Sequence, residues 1–110
     1  MTNFIRILCV DDRENYIKLN QLSLELRCPK FSVTGVKSVQ KAVDLLKTED
    51  FDCIVSDFDL VNTTGLDFYH RIEDDYPNLP FFLFTSRSPL DIEGTTDVTK
   101  VYYKDNIPSV

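Results

Sequence analysis

Asp11 and Asp12, Asp57, Thr85 and Lys104 stand at or just past the ends of short, mostly apolar runs, Ile5 to Val10 (broken only by Arg6), Cys53 to Val55, Phe81 to Phe84 and Val101 to Tyr103. If each run is a parallel strand, the residues at their carboxyl ends share one rim, which is where open α/β sheets place their ligand sites. Three carboxylates, a hydroxyl and an ammonium would meet there. Clustered carboxylates repel one another unless a cation joins them, and a donor set made only of oxygen selects a hard cation such as Mg²⁺, which keeps several waters and commonly partners phosphate. The chemistry that follows is phosphoryl transfer. An aspartate can itself be the nucleophile and form an acyl phosphate, while a metal and a lysine offset the charge on the equatorial oxygens.

Each residue also has a plainer reading. Asp11 and Asp12 alone would be caps for the helix that follows. A second carboxylate at a strand end, Asp57, with Thr85 and Lys104 closing later strands, tips the reading to a phosphoryl site. Asp59 reads as a solvated side chain whose backbone carbonyl alone is a candidate ligand. His70 reads as a surface residue, and Ser86 and Arg87 border the site but equally form a turn.

The elements that must hold these residues alternate between strand and helix. Tyr16, Leu19, Leu22 and Leu26 recur three or four apart and predict one helix between Glu14 and Leu26, stopped by Pro29. Phe31 to Val36 reads as a second strand. Ser38 is a plausible N-cap for a helix whose Val39, Ala42, Val43 and Leu46 form one stripe ending near Thr48. Leu66, Tyr69 and Ile72 mark a third helix, capped from Thr63 or Thr64. Phe81 to Phe84 is apolar on both alternating faces, as a central strand covered on each side must be. From Gly94 to Thr99 the regularity fails. The pattern specifies an α/β fold, a doubly wound parallel sheet of five strands, over a single domain spanning residues 1–110.

Composition excludes several classes. The formal charge of −6, from twelve basic and eighteen acidic residues, argues against direct nucleic acid binding or a grip on anionic lipid. The longest apolar runs are four residues, far short of the roughly 20 that span a bilayer, so no membrane insertion is expected. With no leader-like start, a cytoplasmic address follows. Cys9, Cys28 and Cys53 are odd in number and lack a CxxC spacing, so they read as small buried hydrophobes.

The same residues carry a family resemblance. Leu8-Cys9-Val10-Asp11-Asp12, Ile54-Val55-Ser56-Asp57, Phe84-Thr85-Ser86 and Tyr103-Lys104 resemble, in order and over nearly the whole chain, the receiver domain of two-component response regulators. The resemblance implies the flavodoxin-like receiver fold and a signalling protein that catalyses only its own phosphorylation and dephosphorylation. Asp57 would accept a phosphoryl group from a histidine kinase or histidine phosphotransfer protein. Asp12 and Asp57 would bind Mg²⁺ directly, the carbonyl of Asp59 would be a third ligand, and Asp11 would act largely through water. Lys104 would pair with the phosphoryl oxygens and Thr85 would turn inward to bond one. Gly65 matches the family's loop.

The chain departs from that pattern in places. Val61 stands where the family usually has proline. Asp105 replaces the proline after the lysine, whose preceding bond is characteristically cis, and a cis bond before a non-proline residue costs about 3 to 4 kcal/mol. Lys104 is therefore expected to be aimed less rigidly. The aromatic switch position falls on Val101. The stretch after Thr85 leaves a short or irregular fourth helix, and six residues after Lys104 leave no room for a normal fifth. Apolar lining around Val10, Ile54 and Phe82 or Phe84 would then face water, so the chain is expected either to form a homodimer or to be a piece of a longer regulator or hybrid kinase. Two other readings compete. Asp57-Phe58-Asp59-Leu60-Val61 also resembles the signature of haloacid-dehalogenase-type phosphatases, although their acidic pair follows the lysine and here it comes first. The departures around Lys104 and Val101 equally suit a pseudo-receiver that only binds.

Overall fold

The computed structural model describes residues 3–85 and 100–103. The predicted fourth helix, the room left for a fifth, and Lys104 with its bond to Asp105 lie outside the described residues. Five strands form one parallel sheet: β1 (Ile5–Val10), β2 (Phe31–Val36), β3 (Cys53–Asp57), β6 (Phe81–Thr85) and β7 (Lys100–Tyr103), in the order β2-β1-β3-β6-β7. Between β3 and the third helix lies a small antiparallel hairpin of β4 (Asp59–Leu60) and β5 (Thr63–Thr64). The sequence showed no sign of it, because two residues a side are too few for any periodicity. At its tip Asn62 adopts φ 61°, a left-handed conformation that asparagine tolerates better than most residues.

Alternation along the central strands sends neighbouring side chains to opposite faces. Leu8, Val10, Ile54, Phe81 and Leu83 pack against Ala42 and Leu46 of α2 (Val39–Thr48) and Phe68 and Ile72 of α3 (Gly65–Ile72). Phe68 is the aromatic anchor of this face, its ring centroid 5.5 Å from that of Phe81. Ser38 caps α2 by accepting from the Lys41 amide, and Thr64 caps α3 by accepting from Asp67. Val10 and Ile54 are therefore wholly buried, contrary to the expected exposure. They lie on the face that α2 and α3 cover. Phe82 and Phe84 lie on the other face, half-buried beside Ile7, Cys9, Val33 and Val55.

The first helix, α1 (Glu14–Arg27), covers that second face, but with a different stripe from the one its leucines suggest. Leu19, Leu22 and Leu26 are 56%, 58% and 65% exposed, whereas Ile17 is buried and Leu24 packs on the sheet. At 100° per residue the leucines lie on the side of the helix opposite Ile17 and Leu24. The inward face is partly polar because β2 is an edge strand whose outer backbone groups need partners. Gln21 Nε2 donates to the Val33 carbonyl at 3.3 Å, and the Val33 amide donates to Glu25 at 3.0 Å. Gly35 lets the helix approach, since a Cβ there would strike the Ile17 side chain. Ile17→Ala should therefore lower stability by about 2 kcal/mol, while Leu22→Gln should change it by less than about 0.5 kcal/mol. Paired denaturant titrations check this, and the reverse ranking would restore the leucine face to the core.

The cysteines are unbonded. Cys9 is buried as expected, while Cys28 and Cys53 are half-buried. Burial, assisted by Asp52, pushes the Cys53 thiol up to about 11, which makes it a poor nucleophile and supports the packing role.

Candidate functional site

The register of the central strands assembles the site. Val10 of β1 sits opposite Ser56 of β3, so the next residue on each strand, Asp11 and Asp57, emerge side by side at the carboxyl edge. The Asp11 amide donates to the Val36 carbonyl at 3.1 Å, which carries the ladder with β2 one residue past the strand and fixes where Asp11 leaves it. On the other side Asp57 pairs with Phe84, and the Phe58 amide donates to the Phe84 carbonyl at 2.8 Å. The backbone of Thr85 thus ends β6 one step beyond the partner of Asp57, opposite Tyr103, the last residue of β7.

Oxygens of Asp11, Asp12 and Asp57 lie within 4.8 Å of one another. Asp11 is 1% and Asp57 5% exposed, and Asp12 is half-buried at the mouth. The carboxylates are not spent on capping. The N-cap of α1 is Arg13, which makes no side-chain cap bond, and Asp11 Oδ1 instead accepts from the Arg13 amide at 3.0 Å. The helix-cap reading of the acidic pair therefore fails. An oxygen-only donor set, buried at the back and open at Asp12, fits a hard divalent cation. The Asp59 side chain is exposed and is not one of the three clustered carboxylates.

Two further residues shape the pocket. Ser56 Oγ donates to the Asp57 carbonyl at 2.9 Å, and a Cβ on Gly65 would collide with that same carbonyl, so α3 begins hard against the backbone of Asp57. Arg13 was not singled out in the sequence. Its Nη2 lies 3.3 Å from Asp57 Oδ2, its Nε 3.7 Å from Asp11 Oδ1, and its guanidinium carbon 3.9 Å above the centre of the Tyr16 ring. Burial, which lowers its pKa, is outweighed by Asp11 and Asp57, with Tyr16 and Asp12 adding to them, so the pKa is raised and the charge is secure. The only signal available was a cation directly after an acidic pair, which is equally the mark of a solvated helix start.

Residues 7–101 match the sequence model of the response regulator receiver domain. The chain belongs to that family. The receiver is 30% identical over 86 residues to response regulator protein PilR of Pseudomonas aeruginosa, a match covering 78% of this chain and 19% of PilR. It spans well under half the length of the curated relatives it matches. The fold is shared with the response regulator TrrA of Thermotoga maritima, solved in complex with Mg²⁺ and BeF, at a TM-score of 0.81 and 19% identity over 90% of this chain and 85% of TrrA. TrrA bound to the histidine kinase ThkA gives a TM-score of 0.80 at 19% identity, over 90% and 84%. The receiver match displaces the phosphatase reading of the Asp57 to Val61 stretch. Among the described residues, no helix of the receiver is long and apolar enough to cross a membrane.

Proposed function

We propose that this receiver takes a phosphoryl group onto Asp57 from a histidine kinase or histidine phosphotransfer protein, in a pocket that holds Mg²⁺, and signals through the change in its surface. The observation that carries the proposal is the register-enforced meeting of Asp57 with Asp11 and Asp12 at the carboxyl edge of the sheet. Asp12 and Asp57 would ligate the metal together with the Asp59 carbonyl, and Asp11 would act through water. Bound there, Mg²⁺ would offset the negative charge on the phosphoryl oxygens.

The chain's own residues do the rest. Asp57, whose carbonyl accepts from Ser56 Oγ and whose strand is tied to Phe84 through the Phe58 amide, would attack the incoming phosphorus, so that a new O–P bond forms as the bond to the donor nitrogen breaks. Lys104 is the cation assigned to the phosphoryl oxygens and Thr85 the hydroxyl that would bond one of them. The three unbonded thiols suit the reducing cytoplasm in which we place the protein. The TrrA complexes with Mg²⁺–BeF and with a histidine kinase support the assignment of metal and partner by analogy of fold.

Incubation with acetyl phosphate and Mg²⁺ should add one phosphoryl group, seen as intact-protein mass, labile to hydroxylamine and lost when EDTA is present. Turnover of a generic phosphomonoester without a loaded intermediate would favour the phosphatase chemistry. Neither loading nor turnover would favour a receiver that only binds.

A further inference from the structure

We propose that Arg13 is a built-in counter-cation of the acidic pocket, one that pairs with Asp57 when no metal is bound and must leave it when a divalent cation enters, so that Arg13 sets the pocket's Mg²⁺ affinity. The inference rests on the metal-site reading above and adds to it a residue with no lone pair to offer a metal. Three carboxylates within 4.8 Å, two of them buried, repel strongly unless some positive charge is close. Among the described residues the ion pairs of Asp11 and Asp57 are with Arg13. Its guanidinium stands 3.3 Å from the same Asp57 carboxylate that a metal would share, and two cations crowded on one carboxylate repel each other.

An exit is prepared. The guanidinium lies over the Tyr16 ring, three residues further along the helix, and the side chain is 46% exposed, so it can slide along the ring face towards water and keep its cation–π contact. That movement also gives up the longer contact of the guanidinium with Asp11, Nε to Oδ1 at 3.7 Å, but Asp11 stays held by the Arg13 amide, which is fixed while the side chain swings. The geometry therefore ties the guanidinium to Asp57 by an interaction that can be released without disturbing the pocket's backbone.

The test is a Mg²⁺ titration with no phosphodonor present, read by calorimetry and by amide NMR shifts, on wild type, Arg13→Gln, Arg13→Lys and Asp12→Ala. Arg13→Gln should bind Mg²⁺ about three- to tenfold more tightly, the range expected for losing two part-exposed pairs, and Arg13→Lys should stay near wild type. In wild type the Arg13 Nε–H resonance should move in step with the Asp57 amide. Equal or weaker binding by Arg13→Gln, with binding still lost in Asp12→Ala, would overturn the role of Arg13 and leave the metal site standing. A wild type that shows no titration, like Asp12→Ala, would overturn the metal site and the Arg13 role with it.

Discussion

Asp57→Asn is expected to abolish phosphorylation by acetyl phosphate, by at least about 10³-fold, while leaving the fold intact. The carboxamide is nearly the same size, so it fits the space of a residue that is 5% exposed. It has no anionic oxygen to attack phosphorus and takes one of three charges from the pocket. Because the lost charge stood within 4.8 Å of two others, its removal relieves repulsion. The pair with Arg13 that goes with it is short but half open to water, worth at most about 1 kcal/mol. The thermal midpoint without metal should thus stay level or rise. Intact mass and a melt, run on the same sample, separate chemistry from folding. A variant that still gains one phosphoryl group would place the acceptor on another residue.

What the sequence made legible and what it hid have different physical causes. β1, β3 and β6 are visible because central parallel strands are apolar on both faces, and their last residues stand out against that background. Hence Asp11, Asp12 and Asp57 could be named as one cluster before any distance was known. The register Val10 to Ser56 could not be, since it follows from how the whole sheet packs. α1 shows the opposite failure. Its leucine period is correct for a helix, yet the stripe faces water, because Gln21 and Glu25 are required inward to satisfy Val33 at the sheet edge. A polar residue that serves a backbone group leaves no periodic trace. Arg13 was hidden for a related reason: only the fold brings its guanidinium back over Asp57, which is 44 residues away.

Gly65→Ala is the substitution expected to damage fold and site together. The new Cβ would meet the Asp57 carbonyl, with Leu83 Cδ1 at 2.7 Å and Ser56 Oγ at 2.9 Å. Two of these neighbours cannot simply rotate away. The carbonyl is backbone in a central strand, and Ser56 Oγ is held by its bond to that same carbonyl. Relief therefore requires α3 to lift from the sheet or β3 to shift at its last residue. Lifting α3 strains the bond from the Gly65 amide to the Phe58 carbonyl, 2.7 Å long, and loosens the packing of Phe68 on Phe81. Shifting β3 moves Asp57, the proposed phosphoacceptor. Overpacking of this kind costs about 3 kcal/mol, more than the 0.5 to 1 kcal/mol that alanine regains in a helix. The variant should melt well below wild type and, at temperatures where it remains folded, load Asp57 at least about tenfold more slowly, since a displacement of 1 Å can cost 10²-fold. Thr64→Ala provides the control: it removes the cap of α3 for about 1 kcal/mol without touching Asp57, and should lower the midpoint modestly with little change in loading. Wild-type stability and wild-type loading in Gly65→Ala would mean that the start of α3 does not press on the acceptor strand.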